Sequence, residues 1–130
     1  MPVRFLTGNH FGEPLRVSGC DCMAWQQRTG SVLSYNCYFR KPLVRIEGTA
    51  KLYACCAESG REVRNYFCPE CGTPLYWEGD IAPDIYGVAA SAFTNSELLT
   101  PTFSFWEEGM RSSVSVPDVQ HFPKSGTVPG

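Results

Sequence analysis

Two short cysteine pairs carry the chemistry open to this chain. Cys68-Pro69-Glu70-Cys71-Gly72 sets two sulfurs two residues apart around a Pro, with a Gly behind them. A tight turn of that kind aims both thiols at one point, and Gly tolerates the backbone angle it needs. Upstream, Gly19-Cys20-Asp21-Cys22 sets a second pair one residue apart. Together the pairs hold four thiols, the number that closes a tetrahedral zinc site. From spacing alone they converge on one metal, serve two, or serve none, because a free thiol also packs as a small apolar group. Cys37, Cys55 and Cys56 read as packing residues of that sort. Seven cysteines are an odd number and fit poorly with a full disulfide framework.

The remaining composition narrows the setting. At 130 residues the chain suits one domain with a real core. It is 43% hydrophobic and 18% charged, ordinary for a globular protein. A net charge of −2 argues against nucleic acid or an anionic membrane as partner. No apolar run reaches the length of a membrane span, and Met1 to Leu6 lacks the apolar centre of a signal peptide. The expected setting is the cytoplasm, where thiols stay reduced.

The elements that must position the cysteines read as strands. Helical periodicity is nearly absent, and 12 Gly and 10 Pro punctuate the chain every few residues, as in an all-β domain. Leu33, Tyr35, Cys37 and Phe39 alternate with Ser34, Asn36 and Tyr38, the pattern of a half-buried strand. Leu43 to Glu47 and Ala50 to Ala57 read as the next two, joined by a hairpin turn at Gly48-Thr49. Glu62 to Phe67 and Pro74 to Glu78 flank the Cys68–Cys71 pair, which places it at a hairpin tip. Asp84 to Ser91 and Thr102 to Glu107 are further strands, and a helical turn is expected at Ala24 to Arg28. The expected domain spans residues 1–124, with Ser112 onward as a wrapping tail that frays over residues 125–130.

Cys20-Asp21-Cys22-Met23-Ala24-Trp25-Gln26-Gln27-Arg28-Thr29-Gly30 resembles Cys-His-Cys-x-x-Cys-Arg-x-x-Thr-Gly, the signature of the glutathione-dependent formaldehyde-activating enzyme family. Phe67-Cys68-Pro69-Glu70-Cys71-Gly72-Thr73-Pro74-Leu75 resembles its second motif, and Gly12-Glu13-Pro14-Leu15 precedes the first as in that family. Val88 to Ser91 and Pro101 to Trp106 fall where related segments occur. The resemblance implies a β-tent fold, small antiparallel sheets clasped around zinc knuckles. It implies a carbon–sulfur lyase that joins glutathione, or another small thiol, to a small aldehyde. It also implies two zinc ions: a catalytic one on the Cys-x-Cys-x-x-Cys signature, and a structural one on Cys68, Cys71 and an earlier Cys-x-Cys pair. By that correspondence Cys20 and Cys22 are the catalytic residues and metal ligands, and Cys68 and Cys71 are structural ligands.

Two departures strike the ligand set. Met1-Pro2 stands where relatives carry the early Cys-x-Cys-Gly, and Trp25 stands at the third catalytic cysteine. Indole offers a donor N–H and no lone pair for zinc. Gln26 replaces the family's Arg, and Asp21 its His. Three routes to replacement ligands stay open: Cys55 or Cys56, Asp21, or one merged site of Cys20, Cys22, Cys68 and Cys71. Alternation along a strand turns Asp21 away from its neighbours, and the merged site needs the two motifs closer than the family architecture suggests. The rival function is a non-catalytic, zinc-poor binding or structural module of the same fold. Unpaired strand edges also suggest a homodimer. His10, His121, Glu107-Glu108, Arg61 and Arg64 read as surface residues, and Ser31, Ser59 and Ser91 lack a nucleophile's context.

Overall fold

The computed structural model describes residues 4–6, 14–56, 60–90 and 100–124. Its elements run β1 (Arg4–Leu6), β2 (Arg16–Cys20), α1 (Met23–Thr29), β3 (Ser34–Arg40), β4 (Arg45–Glu47), β5 (Lys51–Cys56), β6 (Glu62–Phe67), β7 (Pro74–Gly79), β8 (Ile85–Ala89), β9 (Phe103–Phe105) and β10 (Gln120–His121). The all-β expectation holds, with one short helix where Ala24 to Arg28 pointed. Eight strands form one sheet in the order β10-β9-β2-β3-β8-β7-β6-β5, and β1 pairs with β4 apart from it. The large sheet is mixed, because β9 lies parallel to both β2 and β10.

Local sequence explains most of these elements, and partners elsewhere in the chain decide the rest. Gly48-Thr49 does not close the expected hairpin. β4 pairs with β1 over three residues, whereas β5 runs antiparallel to β6 over six. β5 takes its partner from later in the chain and ends the sheet, with its other edge unpaired among the described residues. The strand expected over Thr102 to Glu107 stops at Phe105, because Trp106 adopts φ 59 and turns the chain into a single tight turn at Glu107–Gly109. The tail after Ser112 does wrap the sheet: Gln120–His121 adds β10, and the Phe122 ring packs 5.2 Å from that of Phe105. Residues 125–130 and Ala57 to Ser59 lie outside the described residues, as do Ser91 and His10.

Alternation divides the side chains of the sheet. Val17, Cys37, Phe39, Val88 and Ala90 form the main core, with Tyr76 and Tyr86 against it. Val88 and Cys37 are wholly buried, and burying such a valine contributes about 1.5–3 kcal/mol. The strand register places Arg16, Tyr38, Gly87, Trp77, Asn65 and Tyr53 in one row across β2, β3, β8, β7, β6 and β5. Residues opposite one another in register share a face, and α1 lies over this one: the Trp25 ring is 6.3 Å from that of Trp77. Gly87 makes that row possible, because a Cβ there would overlap the Trp77 indole.

Candidate functional site

Cys20 ends β2, and Cys22 begins the helix two residues later. Cys22 is the residue ahead of α1, and its Sγ accepts the Trp25 backbone N–H at 3.4 Å. The neighbouring Cys20 thiol donates to Cys22 and pulls it down to about 7. Backbone N–H groups of Trp25 and Ala24 act the same way, and burial opposes them. Cys20 is pushed upward, chiefly by giving that hydrogen bond and then by its own burial. The pair therefore holds one ready thiolate and one reluctant thiol.

Asp21 between them faces inward. Its backbone N–H donates to the Phe105 carbonyl, and its side chain is wholly buried. The Ser104 hydroxyl donates to Asp21 Oδ2 at 3.3 Å. Burial raises the carboxyl above its usual range, partly offset by Ser104. Gln26 ties the loop down from the other side. Its Nε2 donates to the Asp21 and Gly109 carbonyls, both at 2.8 Å, while Arg111 Nε donates to its Oε1 at 3.0 Å. Gly109 must be small there, since a Cβ would come within 2.7 Å of the Asp21 carbonyl oxygen. Gln26 is thus a brace joining two segments 83 residues apart in sequence. Sequence reasoning saw only that it replaced an Arg.

Cys68 and Cys71 sit at the tip of the β6–β7 hairpin, as their spacing indicated. Gly72, at φ 76, returns its N–H to the Cys68 carbonyl at 2.8 Å, and the Cys68 N–H donates to Thr73 O at 2.9 Å. Cys68 is buried with Leu75, against Ile46 and Ala50. Cys71 is exposed, its Sγ 3.0 Å from Thr73 Oγ1. That hydroxyl, then the Thr73 backbone N–H and Cys68, lower its pKa.

The resemblance noted in the sequence implies zinc, whose ligand number sets what the donors must supply. Zinc sites take four ligands when structural and three protein ligands when catalytic. Among the described residues no group of three or more His, Cys, Asp or Glu side chains is placed to hold a metal. The merged four-cysteine site is therefore absent from them, and neither Cys55 nor Cys56 completes either pair. Cys55 Sγ accepts from the Asn65 amide instead, at 3.7 Å. Asp21 accepts from Ser104 on Oδ2 and is buried beneath the loop, with Oδ1 unpartnered and no group of three donors around it among the described residues. Trp25, at the third cysteine position, turns its ring toward Trp77. Among the described residues, two thiols at each place fall short of the ligand number that zinc takes.

The space beside Trp25 is a narrow cleft lined by Trp25, Arg28, Asn36, Asn65 and Trp77. The Arg28 guanidinium lies over the Trp25 ring at 5.8 Å and the Tyr53 ring at 5.6 Å. Tyr38 meets Trp77 edge-on, with centroids 5.6 Å apart. Arg28 Nε and Trp77 Nε1 are buried there without a hydrogen-bond acceptor, a state that costs about 1–3 kcal/mol per group. Trp77 reads in sequence as a sheet-face aromatic, and nothing local marks its N–H as functional. The other candidates are accounted for elsewhere. Arg64 bonds Glu62, Glu78 and Asp80, and His121 Nδ1 lies 2.6 Å from Glu107 Oε1. No helix among the described residues is long and apolar enough to cross a membrane.

Residues 3–109 match the family described as glutathione-dependent formaldehyde-activating enzyme. No curated protein matches the chain. Among solved structures, the crystal structure of a Rhodobacter sphaeroides protein is similar at 22% identity and a TM-score of 0.48, covering 72% of this chain and 79% of that one.

Proposed function

Because this chain belongs to the glutathione-dependent formaldehyde-activating enzyme family, we propose that it binds a thiol adduct of a small aldehyde, such as that of glutathione, without the family's zinc-dependent reaction. The observation that carries this reading is the donor count. Trp25 stands where a third thiol is needed, its ring is committed to Trp77, and no described group supplies three ligands. What remains is a half-exposed Cys22, a helix start whose N–H groups turn toward that sulfur, and a cleft lined by Trp25 of the same helix. A reducing cytoplasm suits such a protein, since its cysteines are all free.

One observation favours the carbon–sulfur lyase reading instead. Cys22, held near 7, is a thiolate for much of the time at neutral pH, and a thiolate is the reactive form of cysteine. The two readings part in one experiment. Glutathione and formaldehyde are mixed with and without the protein. S-hydroxymethylglutathione formation is followed by NMR, together with the backbone signals of residues 20–29. Binding predicts shifted signals in that segment and an unchanged rate of adduct formation. Acceleration abolished by Cys22→Ser would establish the lyase, and shifts confined to distant residues would remove both readings.

A further inference from the structure

Building on the binding reading above, we propose that the cleft between α1 and strands β6 to β8 is a carboxylate site, which takes the acid end of a small organic ligand. Two residues that line this one small space each carry a buried N–H without an acceptor, Arg28 at Nε and Trp77 at Nε1. A planar anion with two oxygens answers two donors at once. A guanidinium Nε is moreover one tine of the fork that grips carboxylates.

The surroundings suit a small flat anion. The Trp25 and Trp77 rings lie 6.3 Å apart at 57°, and form two walls of the cleft. The amides of Asn36 and Asn65, 2% and 3% exposed, add polar groups to its lining. The free space is only about 10 Å3, at the lower limit for seating one water. Entry of a carboxylate therefore requires the Arg28 side chain to slide outward. Its mooring permits this: the guanidinium is stacked on Trp25 and on Tyr53, and the Tyr53 ring is 55% exposed. The Trp77 indole lies directly over Gly87, in the space a Cβ would fill.

The test uses the 15N-labelled full chain and sodium acetate, with sodium chloride at matched ionic strength as control. The indole N–H signals of the three tryptophans are followed. The Trp77 signal should move downfield and saturate with acetate, and stay in place with chloride. Trp77→Phe keeps a ring and deletes the donor. It should weaken acetate binding about tenfold, the equivalent of one good hydrogen bond, as seen on the backbone signals of residues 25–28. Arg28→Lys keeps the charge and removes the fork, with a similar loss expected. Should Trp77→Phe fail to fold, Arg28→Lys and the wild-type titration decide alone. A Trp77 signal that ignores acetate, equal shifts with chloride, or folded variants that bind as tightly as the wild type would overturn the site. Acetate is not an aldehyde adduct, so this site and the adduct-binding reading can fail separately.

Discussion

At the Cys20–Cys22 loop the thiols rest on a bracket of cross-chain hydrogen bonds, whereas at the Cys68–Cys71 tip they rest on apolar packing. The loop is held by Gln26 to the Asp21 and Gly109 carbonyls, by Arg111 to Gln26, and by Ser104 to Asp21. The tip is held by its own turn and by Leu75, 1% exposed beneath Cys68. Each place has two sulfurs and a knuckle-like spacing, yet their neighbours give them different characters. One has a thiol lowered to about 7 at the start of a helix, and the other has an exposed thiol over a small core. The difference teaches that cysteine spacing fixes where thiols meet, while the surrounding side chains fix what the thiols do.

The sharpest way to break this contrast is at the tip. Leu75→Ala should destabilise the fold by about 2–5 kcal/mol, as cavity formation in a core does, measured by urea unfolding. Cys71→Ser, at an exposed position, should cost under about 0.5 kcal/mol. Comparable losses from the two would mean that Cys71 carries a structural load that packing does not explain. At the loop, Gln26→Leu should cost about 1–3 kcal/mol, since it strands the Asp21 and Gly109 carbonyls. A neutral result there would dissolve the bracket. Gly72→Ala should cost about 1–2 kcal/mol, because φ 76 is unfavourable to any residue with a Cβ.

The smallest effect distinguishes the thiols by pH. Alkylation of Cys22 by iodoacetamide, followed by mass spectrometry of the labelled peptide, should rise with pH through a midpoint of about 7. Below that value Cys22 is protonated and the rate falls away. Asp21→Asn should move the midpoint lower still, because the negative Asp21 charge raises the Cys22 pKa. A midpoint at the ordinary thiol value in both proteins would show that Cys20 and the helix N–H groups do not reach that sulfur.

How legible each part was follows from how local its cause is. Alternation in Ser34 to Phe39 shows β3, and Cys-Pro-Glu-Cys-Gly marks a hairpin tip, because neighbouring residues settle both. β2 is Arg-Val-Ser-Gly-Cys, weak in strand formers, and becomes a strand because β3 and β9 flank it. The lost hairpin at Gly48-Thr49 was not legible there, because β4 and β5 take as partners β1 and β6, which lie outside that window. At the site, the cysteines and the missing third ligand at Trp25 could be seen by residue type alone. The brace at Gln26 could not, since its partners Gly109 and Arg111 lie 83 and 85 residues away. The cleft at Trp77 was equally hidden, because it exists only once β7 and β8 are in register beneath α1.

The central claim is that two thiols at each place hold no resident zinc and that packing and hydrogen bonds carry the fold. It is tested most directly by zinc per chain in protein purified without added metal, with thermal unfolding before and after a strong chelator. The account predicts no retained zinc and one unfolding midpoint in both conditions. One or more zinc ions held through purification, with a midpoint that falls when the chelator removes them, would contradict it.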